Sequence, residues 1–305
     1  MADRTTPVGI IGLGQMGGAM CRTLLRAGHS VLGWDAAAVP LQAAVRDGAE
    51  AGRDPADVAA RAELIVVSVP DAAASRATCL GPAGVAAGAG PGRIVVDTST
   101  TSPEAAREIA SGLGSSGVGF LDAPVSGGVR AAESGGLSMM VGGDVATLER
   151  ARPVLADLAS RIVHCGDVGA GQVTKACNQL IVMATIESVA EALTLAAAAG
   201  VDPWRVRDAL LGGFAGSPIL EQHGERMLKR DFVPGGRSVY HLKDIAVIEA
   251  LEAETGLALP AFEAAAEQVR RLVARGGGDL DHAALITALE LEPAADPAPD
   301  VDGPG

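Results

Sequence analysis

Short apolar runs alternate with helical periodicity along the first half of the chain. "VGIIGL", "SVLGWD", "LIVVSV" and "RIVVDTS" are rich in Val, Ile and Leu and are bounded by Gly, Asp or Ser. Their lack of polar alternation predicts strands buried on both faces. "QMGGAMCRTLLRAG" and "AAAVPLQAAVRDG" between them read as helices. Strand alternating with helix predicts a parallel, doubly wound sheet. Further short strands are expected at "GFLDAPV", "LSMMVGG" and "RIVHCG".

After Gly169 the strand pattern stops. Helical patterns follow at "GAGQVTKACNQLIVMATIESVAEALTLAAAAG", "DPWRVRDALLG", "SPILEQHGERMLKR", "LKDIAVIEALEAETG", "PAFEAAAEQVRRLVARG" and "DHAALITALELE". Asp202-Pro203 and Asp281 are helix-start signals, and Gly200, Gly256 and Gly276 are stops. The expected organisation is an α/β domain over 1–166, an all-helical domain over 167–292 and a disordered tail over 293–305, where "PAADPAPDVDGPG" has too little apolar surface to order itself. The run from Leu180 to Ala199 is apolar enough to raise a membrane span, but Glu187 and Glu191 lie one turn apart inside it. Each would be costly at a bilayer centre, so a buried helix of a soluble protein is expected.

Composition narrows the picture. Aromatic residues are 2% of the 305, so the cores must be built from Ala, Val, Leu and Ile. A net charge of −13 argues against nucleic acid and against an anionic membrane as partners. Cys21, Cys79, Cys165 and Cys177 form no C-x-x-C pair and are expected to be reduced core residues. No metal site is expected, because three or four ligands would have to converge from distant segments. The opening "MADRTTPVGIIGLG" lacks the pattern of a secretory leader, and a cytoplasmic location is expected.

Candidate chemistry begins at the first strand–helix junction. Gly12, Gly14 and Gly17 stand in G-x-G-x-x-G register, with Leu13, Gln15 and Met16 between them. The first glycine allows a tight turn, the second lets a pyrophosphate approach the backbone, and the third lets helix and strand pack closely. The next strand ends at Asp35, where a carboxylate can accept hydrogen bonds from both ribose hydroxyls. "AAAV" follows it, with no arginine to neutralise a 2′-phosphate, so NAD is expected over NADP.

Of 24 basic residues three are lysine, Lys175, Lys229 and Lys243. Guanidinium stays charged at any relevant pH, whereas an ammonium can exchange a proton. Lys175, Asn178 and Gln179, at i, i+3 and i+4, share a helix face. "DTSTTSP", from Asp97, places hydroxyls where ligands bind in open α/β folds, and "DAPVSGG" puts Ser126 before Gly127 and Gly128 in a loop suited to a carboxylate. No catalytic role is expected for any of the five histidines.

Together these segments resemble the β-hydroxyacid dehydrogenase family, which includes 3-hydroxyisobutyrate dehydrogenase and tartronate semialdehyde reductase. "GLGQMGGAM", "DTST", "DAPVSGGVRAAESGGLSMMVGG", "GAGQVTKACNQL" and "KRDFVPGGRSVYHLKD" carry the resemblance in order. It implies a Rossmann-type domain joined by a long interdomain helix to a helical substrate and dimerisation domain, with the active site between them. Position by position it implies that Lys175 is catalytic, that Ser126, Gly127 and Gly128 take the substrate carboxylate, and that Asn178, with Gln179 second, binds substrate. Thr100 and Lys243 would contact the cofactor. The expected activity is interconversion of a small β-hydroxy acid and its semialdehyde or oxo acid, in a homodimer or homotetramer.

Two departures stand out. Gln179 replaces the asparagine many members carry, as in the tartronate semialdehyde reductase-like branch. "PGG" at Pro234–Gly236 replaces the common P-G-F and points to a bulkier substrate. Three rivals remain. An imine reductase-like enzyme shares the architecture but usually lacks the lysine and prefers NADP. A 6-phosphogluconate dehydrogenase relative would carry a longer helical part. A non-catalytic dinucleotide-sensing module would need no lysine, amide and serine loop together.

Overall fold

Four-residue runs without a charged residue before their ends build the central sheet, and the computed structural model describes residues 7–290. The expected tail at 293–305 and the first six residues of the N-terminal segment lie outside the described residues. The chain forms two compact units that meet between Asn178 and Gln179.

The first unit runs β1 (Val8–Ile11), α1 (Gln15–Arg26), β2 (Val31–Trp34), α2 (Ala38–Arg46), β3 (Glu50–Ala51), α3 (Pro55–Arg61), β4 (Leu64–Val67), α4 (Ala72–Leu80), α5 (Val85–Gly88) and β5 (Ile94–Asp97). It continues with α6 (Pro103–Gly114), β6 (Gly119–Asp122), β7 (Val125–Ser126), α7 (Gly128–Ser134), β8 (Leu137–Gly143), α8 (Val145–Leu158) and β9 (Ala159–Gly166). The strand order is β3-β2-β1-β4-β5-β6-β8-β7, with β9 paired to β8. From β3 to β6 the pairing is parallel. This is the doubly wound order, whose switch point lies between β1 and β4. β8 runs antiparallel to both β6 and β7, so the sheet is mostly rather than wholly parallel.

Alternate strand residues supply two cores. Ile10, Val66 and Val96 belong to one cluster, and Ile11, Ile65, Val67 and Val95 to the other. A sheet covered on both faces needs apolar residues at every position, which is why these strands read as unbroken runs. Register then aligns the strand ends. Ile11 lies opposite Trp34 and Val67, Val67 opposite Asp97, and Asp97 opposite Asp122. Every loop singled out by the sequence up to Gly128 therefore leaves the sheet along one edge.

α9 (Ala170–Ala198) carries the chain from the first unit into the second. By length and composition it could cross a membrane, yet Glu187 on it is buried. The second unit adds α10 (Pro203–Leu211), α11 (Pro218–Lys229), α12 (His241–Thr255) and α13 (Pro260–Ala274), with 3-10 turns at Ser238–Tyr240, Gly277–Asp279 and His282–Ala288. The predicted caps act as expected: Asp202 accepts from the Trp204 amide and Asp281 from the Ala283 amide. The last segment differs from the expected α-helix. It is a 3-10 segment, with Ala283, Ala284, Leu285, Ile286 and Ala288 all buried. The cysteines differ too. Cys21 and Cys79 are buried, but Cys165 is half-buried and Cys177 is exposed.

Candidate active site

The glycines of the first loop meet the requirements of a dinucleotide cradle. Gly12 has φ +88°, and a Cβ there would stand 2.2 Å from the Ser68 carbonyl oxygen. At Gly17 a Cβ would lie 1.8 Å from the Gly12 oxygen, so helix and turn touch backbone to backbone. Gly14 is the opposite case. No atom lies within 4 Å of where its Cβ would be, which leaves the space a pyrophosphate needs at the start of α1. α1 has no acid in its first turn and no side chain capping its amides. Its N-terminal dipole and open N–H groups suit a phosphate.

Asp35 closes the other side of this loop. Its Oδ2 accepts from the Leu13 amide at 2.6 Å, and its Oδ1 accepts from the Ala37 amide at 2.7 Å. The carboxylate is thus fixed at the end of β2 and remains partly exposed.

Lys175 is not the solvated surface lysine its position in the sequence would allow. It is 8% exposed, and its Nζ donates to the Val125 carbonyl at 3.0 Å. That carbonyl immediately precedes Ser126, so the structure brings the lysine to the loop expected to hold a carboxylate. Gly127 (φ +125°) and Gly128 (φ +68°) are exposed, and a Cβ at Gly128 would meet open space. Asn178 is half-buried one turn after the lysine on α9.

Two residues unremarked in the sequence hold this lysine in place. Asp122, fully buried, accepts from the Gly169 amide at 2.7 Å and the Gln172 amide at 2.9 Å. Burial pushes its carboxyl up to about 6, against the amide donors that favour the charged form. Gln172 is 1% exposed, donates through Nε2 to the Ser99 carbonyl at 2.9 Å and accepts from the Thr101 amide at 2.9 Å. The start of α9 is thereby fastened to β6 and to the turn that contains Thr100, which is itself half-buried. Ser99 Oγ accepts from the Val69 amide at 2.9 Å, tying that turn to the next loop. Gln172 could have been found, because it stands three residues before Lys175 on the same helix face. For Asp122 the sequence signal was an acid within the strand segment "GFLDAPV"; its place opposite Asp97 emerges only in the fold.

Gln179 and Lys243 belong to the second unit. Gln179 Nε2 donates to Asp244 Oδ2 at 2.5 Å, which commits one of its amide N–H groups. Asp244 is buried; burial would raise its carboxyl, but His241, Lys243 and Gln179 outweigh that and hold it below the usual value. Lys243, adjacent in the chain, is half-buried. Lys229 forms an exposed pair with Glu225, as a solvated lysine does. At Gly236, where an aromatic is missing, a Cβ would stand 3.4 Å from His282 Cε1.

Comparison with known proteins bears on this arrangement. Residues 7–166 match the family described as the NAD binding domain of 6-phosphogluconate dehydrogenase. Residues 169–289 match that described as the NAD-binding domain of NADP-dependent 3-hydroxyisobutyrate dehydrogenase. The chain is 42% identical over 291 residues to 2-hydroxy-3-oxopropionate reductase of Escherichia coli (strain K12), covering 93% of this chain and 97% of that one. Among solved structures it is similar to 3-hydroxyisobutyrate dehydrogenase of Mycobacterium tuberculosis with L-serine. That likeness has 34% identity and a TM-score of 0.85, over 94% of this chain and 99% of that one. A Streptomyces aurantiacus imine reductase is 23% identical with a TM-score of 0.64, over 93% and 100% of the chains, a likeness of fold alone.

Proposed function

Because the chain belongs to the β-hydroxyacid dehydrogenase family, and so is an NAD(P)-dependent oxidoreductase acting on CH–OH groups, we propose that Lys175 is its acid–base catalyst on a small β-hydroxy acid. The observation that carries this is the buried ammonium of Lys175 at the carbonyl before Ser126. The substrate class is that of 3-hydroxyisobutyrate or 2-hydroxy-3-oxopropionate, the molecules for which the relatives are named.

The nicotinamide, when bound, gives or takes the hydride. In reduction Lys175 Nζ donates a proton to the carbonyl oxygen, and in oxidation it takes one from the hydroxyl. The Ser126 hydroxyl with the Gly127 and Gly128 amides holds the substrate carboxylate, and Asn178 orients the reacting oxygen. Gln179 serves less directly, since one of its amide N–H groups goes to Asp244. Gly12 to Gly17 and Asp35 hold the dinucleotide, with Thr100 and Lys243 as further contacts. Asp35, followed by alanines, favours NAD over NADP.

The enzyme works in the cytoplasm as a homodimer or homotetramer without nucleic-acid or membrane partners. Support for the oligomer comes from Ile181 and Leu195 on α9, which are 62% and 70% exposed and fall on one side of the helix. The division into domains over 1–166 and 167–292 follows the change from strand to helix.

Replacing Lys175 with Arg keeps the charge and removes proton exchange. Turnover should fall by about 10²- to 10⁴-fold while NADH affinity holds; unchanged turnover would overturn the assignment. Asp35→Ser should cut the preference for NAD over NADP by about tenfold, read from the two kcat/KM values. NAD binding with silence across a broad panel of hydroxy acids would favour a sensing module instead. Activity confined to imines with NADPH would favour the imine reductase reading.

A further inference from the structure

The second unit brings His223 to an Asp-His pair some sixty residues further along the chain. His223 lies on α11, and Asp281 and His282 open the last 3-10 segment. One ligand atom from each lies within 4.8 Å of the others. His223 Nδ1 stands 3.8 Å from Asp281 Oδ1, and His282 Nε2 stands 3.9 Å from the same oxygen. The two imidazoles meet edge to face, with ring centroids 4.4 Å apart.

The hydrogen-bond network sets which lone pairs face this space. The neighbouring His241 ring places Nδ1 3.7 Å from Asp244 Oδ2, close in charge but beyond hydrogen-bond reach. His241 Nε2 and His282 Nδ1 share one hydrogen bond at 3.0 Å. With that shared proton on His282 Nδ1, its Nε2, 3.9 Å from Asp281 Oδ1, offers a lone pair to a cation. His223 Nδ1 is buried without a hydrogen-bond partner beside the same oxygen. Two imidazole nitrogens and a carboxylate thus converge with no proton arranged between them at bonding distance.

Asp281 is held ready for this. Its Oδ2 takes Arg226 Nη1 at 2.8 Å and the Gly235 and Gly236 amides at 2.9 and 3.2 Å. Its Oδ1 takes the Ala283 amide at 3.0 Å and keeps one lone pair toward the histidines. Arg226 also meets Asp231 at 3.4 Å, so two carboxylates answer one guanidinium. The His282–His241 hydrogen bond is the kind of outer-shell contact that orients a ligating histidine.

We propose that His223, Asp281 and His282 form a binding site for a divalent cation of the zinc class. Donors bound at about 2.0–2.1 Å in a tetrahedron stand roughly 3.3 Å apart, so each histidine closes on Asp281 by about half an ångström, and the two histidine nitrogens, within 4.8 Å of each other, by up to about 1.5 Å. Two nitrogens and one oxygen select Zn²⁺ over Mg²⁺ or Ca²⁺, which take oxygen sets. His223 and His282 are half-buried, so the cluster lies near the surface of its unit. The cation would join α11 to the closing segment of its own unit.

The test uses the untagged full chain, stripped with a chelator and then titrated. Zn²⁺ by calorimetry and Co²⁺ by visible absorption should each show one equivalent, with Kd below about 10 µM. His223→Gln and His282→Gln should each weaken binding by about 100-fold or more, while His29→Gln in the first unit leaves it unchanged. His223 Nδ1 makes no hydrogen bond, so His223→Gln stays informative if the His282 variant does not fold; far-UV circular dichroism without metal checks this. Weaker or substoichiometric binding overturns the site, and so does binding that survives both histidine replacements.

Discussion

The two units treat buried polar groups differently. In the first, Asp97 and Asp122 are answered: Asp97 accepts from Ser75 Oγ and the Ser99 amide, and Asp122 from the Gly169 and Gln172 amides. In the second lie both oxygens of Glu187, Arg207 Nε, Nδ1 of His223 and of His241, Asp244 Oδ1 and Gln268 Oε1. All are buried without a hydrogen-bond partner, and among the described residues every such side-chain atom falls there. Leaving such an atom unmatched costs about 1–3 kcal/mol. The sheet edge is therefore finished by its own chain, whereas the helical unit carries polar capacity that its own fold leaves unanswered.

The sharpest contrast comes from the same change made in each unit. A Cβ at Gly171, in the first turns of α9, would stand 2.5 Å from the carbonyl oxygens of both Asp122 and Met140. Backbone on two sides cannot yield, so Gly171→Ala should lose about 3 kcal/mol in urea unfolding and misplace Lys175. Loss of turnover without loss of stability would contradict this packing account.

Glu187 gives the next effect. Burial, with Glu191 nearby, raises its carboxyl to about 7 from an ordinary 4.5. Between these values the unfolded chain gives up the proton and the folded one keeps it, so stability falls as pH rises and levels off above pH 7. Glu187→Gln removes that slope. The variant should gain about 3 kcal/mol on wild type between pH 4.5 and pH 8, measured as urea midpoints at each pH. Equal pH slopes would mean that Glu187 finds a partner in solution.

Gly224→Ala in α11 is the small, opposite case. Its Cβ would meet side chains at 3.4 Å and beyond, an ordinary contact. Relief of glycine's helix penalty should raise stability by about 0.5–1 kcal/mol. A loss would show that the helical unit is as tightly closed as the sheet unit.

Much of the candidate site was legible because its signals are local. Gly12, Gly14 and Gly17 announce themselves by spacing, and Asp35 by its place at a strand end. Lys175 was conspicuous because lysine is rare in this chain. Its burial was not legible, since an apolar helix gives no sign of which face meets a sheet. Nor was the role of Asp122, which takes the Gln172 amide from 50 residues along the chain. The 3-10 form of His282–Ala288 escaped for a related reason: an alanine-rich run suits either helix until its surroundings are known.

Residue order alone determined the strands, their alternation with helices, the glycine turn and the family, because each rests on neighbours a few positions apart. The folded chain decided which side chains meet. Lys175 reaches Val125 across 50 residues, and His241 reaches His282 across 41. Such contacts are set by strand register and helix packing, and a hydrogen bond between distant residues leaves no periodicity in the sequence that encodes it.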